Sequence, residues 1–97
     1  MNTYILLVNY TQKGVEGVKD SPKRVDAFRE LCRKMGAEMK SFYLTLGRCD
    51  VVVTVEAPDD AALAKLILAT ASMGNVRTET MRAFTEQEYR SIVAALP

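Results

Sequence analysis

The sequence predicts an α+β fold: a four-stranded antiparallel sheet with helices on one face. Three observations predict it. Thr3–Tyr10 and Asp50–Ala57 are short runs rich in branched and aromatic residues, the pattern of strands. Ser21–Gly36 and Pro58–Gly74 place apolar residues at helical spacing between start and stop signals. The patterns follow one another as strand, helix, strand, strand, helix, strand and a closing helix. At 97 residues the chain suffices for one domain, residues 1–97, and not for two.

Each element has its own reason. "TYILLVNY" is a compact apolar run and reads as the first strand. "TQKGVEGVKD", with two glycines, reads as a loop or a loose helical turn. In "SPKRVDAFRELCRKMG", Ser21 can cap, Pro22 suits the first helical position, and Gly36 sits where a helix end wants positive φ. Val25, Phe28, Cys32 and Met35 share one face of this helix, with Leu31 beside them. "AEMKSFYLTLG" reads as a second strand, and Glu38 and Lys40 mark it as a solvated edge. In "DVVVTVEA", Val51, Val53 and Val55 fall on one face, with Gly47–Asp50 as the hairpin turn before it. "PDDAALAKLILATASMG" is a helix with Asp59 and Asp60 at its positive end and Gly74 at its close. "NVRTETMRAF" is the fourth strand. "TEQEYRSIVAALP" opens on a capping box, Thr85 with Glu88, before a stripe of Tyr89, Ile92, Val93 and Leu96. This βαββαβ order is the ferredoxin-like split βαβ arrangement, and right-handed crossovers place both main helices on one side of the sheet.

Composition removes several classes of function. Thirteen basic residues against twelve acidic ones leave no charge excess to drive nucleic-acid or membrane binding, and no helix-turn-helix segment is present. There is no histidine, which excludes a Ser-His-Asp triad, a histidine-ligated haem and a histidine-based zinc site; no metal or cofactor is expected. Cys32 and Cys49 are too few for a secreted disulfide scaffold and read as free thiols of a reducing cytoplasm. The N-terminus lacks the charged region of a signal peptide, and no apolar run approaches the about 20 residues of a membrane span.

The first strand is apolar on both parities: Ile5 and Leu7 on one, Tyr4, Leu6 and Val8 on the other. A strand greasy on both sides is normally buried on both. With helices on one face only, a second copy of the chain is the simplest cover for the other, so the expectation is a homo-oligomer, a symmetric dimer of the α+β-barrel kind. Asp59–Met73 agrees: after its acidic start, Lys65 is its only charge.

The segments "YILLVNYTQKG", "VKDSPKRVDA", "FYLTLGRCDVVVTVEAPDD" and "MGNVRTETMRAFTEQEY", in this order over nearly the whole chain, resemble the GYD-domain family of small prokaryotic proteins. The resemblance implies a ferredoxin-like fold similar to the dimeric α+β barrels, and no established activity. In the signature region "GRCD", Gly47 and Asp50 match, Arg48 is the variable insertion, and Cys49 stands where a tyrosine is expected. That exchange favours a structural role for the motif.

Asp50 could serve as a base or ligand, or bond nearby backbone N–H groups and hold the hairpin; the second reading is preferred. Gly47 is expected to supply a backbone conformation barred to other residues. Cys49, beside Arg48 and Asp50, reads as a half-buried small hydrophobe rather than a reactive thiol, and Cys32 as core. Tyr4 and Tyr10 share one face of the first strand and Tyr43 lies on the second. If the sheet's covered face holds a chamber for a small apolar or mixed ligand, these tyrosines are its candidate lining, with interface packing as the plainer alternative. Arg77 and Arg82 fall on opposite parities of the fourth strand. The leading reading is a homo-oligomer that binds such a ligand or simply assembles. By fold analogy alone, the alternatives are a cofactor-free oxygenase or isomerase, and an effector-binding regulatory module.

Overall fold

The computed structural model describes residues 1–97. Strand β1 (Asn2–Tyr10) ends at Thr11, whose hydroxyl accepts the Gly14 N–H and starts the short helix α1 (Gln12–Glu16). A 3₁₀ turn, Val18–Asp20, leads into α2 (Ser21–Lys34). Then follow β2 (Glu38–Leu44), β3 (Val51–Ala57), α3 (Asp60–Ser72), β4 (Val76–Ala83) and α4 (Glu86–Ala94). The sheet order is β2-β3-β1-β4, antiparallel throughout, so β1 and β3 are central and the charged β2 is an edge. This is the α+β, ferredoxin-like arrangement that the order of elements predicts.

Helix signals act as expected at most ends. Asp59 caps α3 by accepting the Ala62 N–H, and Thr85 and Glu88 form a reciprocal capping box on α4. Gly36 and Gly74 take φ of 74° and 80°, the left-handed turns that stop α2 and α3. Of the two readings of "TQKGVEGVKD", loop or loose helical turn, the helical one holds, because Thr11 caps it and a close backbone contact anchors it. A Cβ on Gly14 would stand 2.0 Å from the Asn75 carbonyl oxygen, so only glycine lets α1 lie against the α3–β4 turn. Ser21 is the first residue of α2 and not its cap; Asp20 holds the cap position without a side-chain bond.

Register settles the parity of the strands. Tyr4 pairs with Val55, Leu6 with Val53 and Val8 with Val51, and all six are buried beneath the helices. Cys32 of α2 and Leu63 and Leu66 of α3 complete this core, with Phe28, Leu31, Met35 and Ile67 packed at its margin. Each large aliphatic side chain so buried contributes about 1.5–3 kcal/mol. The opposite face carries Thr3, Ile5 and Leu7 of β1, Val52 and Thr54 of β3, and Met81 of β4. No helix covers it. α4 makes no substantial packing with any other element, and its stripe of Tyr89, Ile92, Val93 and Leu96 is exposed. No helix is long and apolar enough to cross a membrane.

Candidate functional site

The two main helices touch each other only sparingly and leave a cavity between them, floored by the sheet. Its volume is about 410 Å³, within the range of small-molecule sites. Leu6, Val8, Val51 and Val53 form the floor, Phe28 and Leu31 one wall, and Ile67 the other. Topology gives the cavity a polarity. β1 stops, α2 starts, α3 stops and β4 starts at the same end of the sheet, and there Tyr10, Arg24, Thr70 and Asn75 join the lining.

That end is held by several bonds. The Thr11 N–H donates to the Asn75 carbonyl at 3.1 Å, the Thr11 hydroxyl to the Gly74 carbonyl at 2.6 Å, and Lys13 Nζ to the Met73 carbonyl at 2.8 Å. Arg24 crosses from α2 and donates to the carbonyls of Gly17 at 3.2 Å and Gly14 at 3.3 Å. It is half-buried and makes no salt bridge, although Asp20 lies one turn before it.

The sequence-predicted residues separate into three places. Tyr10 lines the polar end of the cavity. Asp50 fixes it there: its carboxylate accepts the Tyr10 N–H at 2.9 Å, its own N–H donates to the Val8 carbonyl at 2.9 Å, and its carbonyl accepts the Thr45 N–H at 2.8 Å. The signature aspartate thus staples the β2–β3 loop to the end of β1. Cys49 is half-buried in that loop, its carbonyl bonded by the Thr45 hydroxyl at 2.6 Å. Gly47 departs from its expected role, for it does not take positive φ and a Cβ there would meet nothing within 4 Å. Its backbone is open to any residue, and the loop holds its shape through Asp50 and Thr45.

Tyr4 lies on the helix side but away from the cavity. It is 2 % exposed and donates to Asp60 Oδ1 at 2.5 Å, with the Asn2 amide 3.3 Å from its oxygen and Arg82 over its ring. Burial, and next the Asp60 carboxylate, push its phenol above the ordinary value. Tyr43 pairs with Val52 on the helix-free face and is 65 % exposed, so the three tyrosines do not meet. Arg77 faces the helix-free side beside Asn9, and Arg82 the other. The chamber expected on the helix-free face is therefore displaced: the apolar cavity lies under the helices and opens to solvent. Cys32 is core, its thiol raised to about 11 by burial. No group of three or more acidic or cysteine side chains gathers as a metal site.

Sequence reasoning misses Arg24, Phe28, Phe42, Thr70 and Asn75 as cavity residues. Phe28 reads as core, and Phe42 as one face of an edge strand. Nothing in the sequence says that two helices stand far enough apart to leave the space unfilled.

The GYD domain family matches residues 4–93 of this chain. A glutamine synthetase and cystathionine beta-lyase binding protein from Thermus thermophilus is 38% identical over 84 residues, which cover 86% of this chain and 88% of the relative. A feast or famine regulatory protein from M. tuberculosis, solved in complex with L-methionine, superposes on 88% of this chain with a TM-score of 0.67 at 19% identity. MtbAldR superposes on 88% with a TM-score of 0.67 at 14% identity. The chain spans about half the length of these two, 51% and 52%, and the likeness is one of fold.

Proposed function

We propose that this chain, which belongs to the GYD domain family, is a small ligand-binding regulatory module that works by docking on other protein chains, its own copies included. The cavity under α2 and α3 carries the ligand half of this reading. An unfilled apolar space of about 410 Å³ in a domain of 97 residues leaves wall atoms without packing partners, and a small apolar molecule supplies them. The docking half takes its support from the relative named for binding two enzymes.

Binding is favoured over catalysis by what the lining lacks. Glu30 is its one carboxylate, and it is held by Arg33 at 2.5 Å. Asp50 spends its carboxylate on the Tyr10 backbone, and the Tyr4–Asp60 pair lies outside the cavity. No base stands free to move a proton on a bound molecule.

A second copy is the proposed cover for the helix-free face. Its centre is apolar, with Ile5, Leu7, Val52 and Met81, and Arg77 shares the face with Glu56 and Glu79. Opposite charges on one patch let a two-fold axis pair the patch with itself.

The test of the ligand half is an NMR titration of the intact protein with 1-octanol. Saturable shifts centred on Leu6, Phe28, Val53 and Ile67 are expected, reduced in Val25→Phe, which fills the space from α2. Shifts that scatter over the surface, or that Val25→Phe leaves untouched, overturn the reading.

A further inference from the structure

We infer that the cavity takes an apolar carboxylate, an acyl or aryl acid, with its tail over the Leu6–Val53 floor and its carboxylate at the Tyr10–Arg24 end. The inference rests on the cavity being a ligand site, as proposed above, and adds the chemical class and the orientation of the ligand.

Charge is the first argument. Two cations border the cavity, Arg24 and Lys34, and neither makes a salt bridge; the one acid, Glu30, is already paired with Arg33. The space is therefore bounded by uncompensated positive charge. Arg24 is the stronger anchor of the two. Lys34 is exposed at the end of α2, whereas Arg24 is half-buried with its guanidinium fixed to the Gly14 and Gly17 carbonyls. Those bonds use two of the five guanidinium N–H donors and orient the rest without neutralising the charge. Lys13 of α1, outside the lining, likewise bonds only a carbonyl, that of Met73. Of the acids at this end, Asp20, one turn before Arg24, is outside the lining and makes no salt bridge, and Asp50 is outside the lining and bonded to the Tyr10 N–H.

The distribution of polar groups is the second argument. Tyr10, Arg24, Thr70 and Asn75 cluster where four elements begin or end, while the lining beyond them is mostly aliphatic and aromatic, with Glu30 and Lys34 on α2 and Thr78 on β4 among its other polar residues. The Tyr10 hydroxyl makes no bond within the protein, so it is free to donate to the same carboxylate that faces Arg24. A neutral apolar ligand would leave the Tyr10 and Arg24 donors idle, and a cationic one would meet positive charge.

Binding of octanoate, 1-octanol and octylamine to the full chain, followed by NMR titration, tests the inference. Octanoate is expected to bind about tenfold or more tightly than 1-octanol, and octylamine more weakly than either. Arg24→Met is expected to bring octanoate down to the level of 1-octanol while 1-octanol stays within about twofold of its parental affinity. Arg24→Lys, which keeps the charge, is expected to retain part of the preference and guards against a folding defect in the first variant. Equal binding of octanoate and 1-octanol, a preference for octylamine, or a preference that survives Arg24→Met overturns the headgroup assignment while leaving the cavity a ligand site. Absence of binding by all three overturns the cavity reading itself.

Discussion

Gly14→Ala sets two effects against each other in one methyl group. Gly14 lies inside α1, where alanine is the better helix former by up to about 1 kcal/mol. The added Cβ, however, would stand 2.0 Å from the Asn75 carbonyl oxygen and 3.0 Å from its carbon. The obstacle is backbone, so α1 or the α3–β4 turn must move by more than an ångström. Forced overpacking of this kind costs about 1–3 kcal/mol. The same movement breaks the bond from the Thr11 N–H to that oxygen, worth about 0.5–1.5 kcal/mol more. Against the propensity gain, the balance is a destabilisation of about 2 kcal/mol, or roughly 10 °C in Tm for a domain of this size. Urea and thermal unfolding by circular dichroism measure it. Gly17→Ala is the control, since its Cβ finds nothing nearer than 3.7 Å, and a change within about 0.5 kcal/mol is expected. A Gly14→Ala protein as stable as the parent would show that the α1 contact is not tight and that the polar end of the cavity is not held as described.

Gly47→Ala makes the opposite case: with ordinary φ and open space around it, the substitution should leave stability unchanged or raise it by up to about 1 kcal/mol, and a loss of more than that in urea unfolding would restore a conformational role to the signature glycine. Alkaline stability follows from Cys32. Burial raises its thiol to about 11 from an ordinary 9.0, so the native chain keeps a proton that the unfolded chain releases, and stability falls as pH climbs between those values. The slope is up to about 1.4 kcal/mol per pH unit; Cys32→Ala should flatten it in denaturation curves, with the raised Tyr4 phenol adding a further loss at higher pH that Tyr4→Phe removes. Leu7→Lys, at the centre of the helix-free face, should convert a dimer into a folded monomer in sedimentation velocity, and a parent that sediments as a monomer at micromolar concentration would refute the proposed cover.

Much of the fold can be read residue by residue. The caps at Asp59 and Thr85, the left-handed turns at Gly36 and Gly74, and the valine alternation of β3 are local, and local rules predict them. Asp50 also acts as its residue type suggests, by bonding backbone. The failures share a cause. Gly14 and Gly47 are the same residue in sequence, and what separates them is whether another stretch of backbone passes close by. "TQKGVEGVKD" reads equally as a loop or a loose helical turn, because the contact that anchors its helix is with Asn75, far along the chain.

By itself the sequence determined which segments form strands and helices, their order, and therefore the antiparallel sheet with both crossover helices on one side; these follow from short-range periodicity, capping chemistry and the handedness of the backbone. Only the tertiary structure decided that Tyr4 and Tyr10 turn toward the helices and Tyr43 away from them, because a one-residue change of register sends every side chain of a strand to the other face. It alone decided that α2 and α3 stand apart over the floor of Leu6 and Val53. The distance between two helices is set by side chains remote in sequence meeting in three dimensions, and that sum is not written in any one segment.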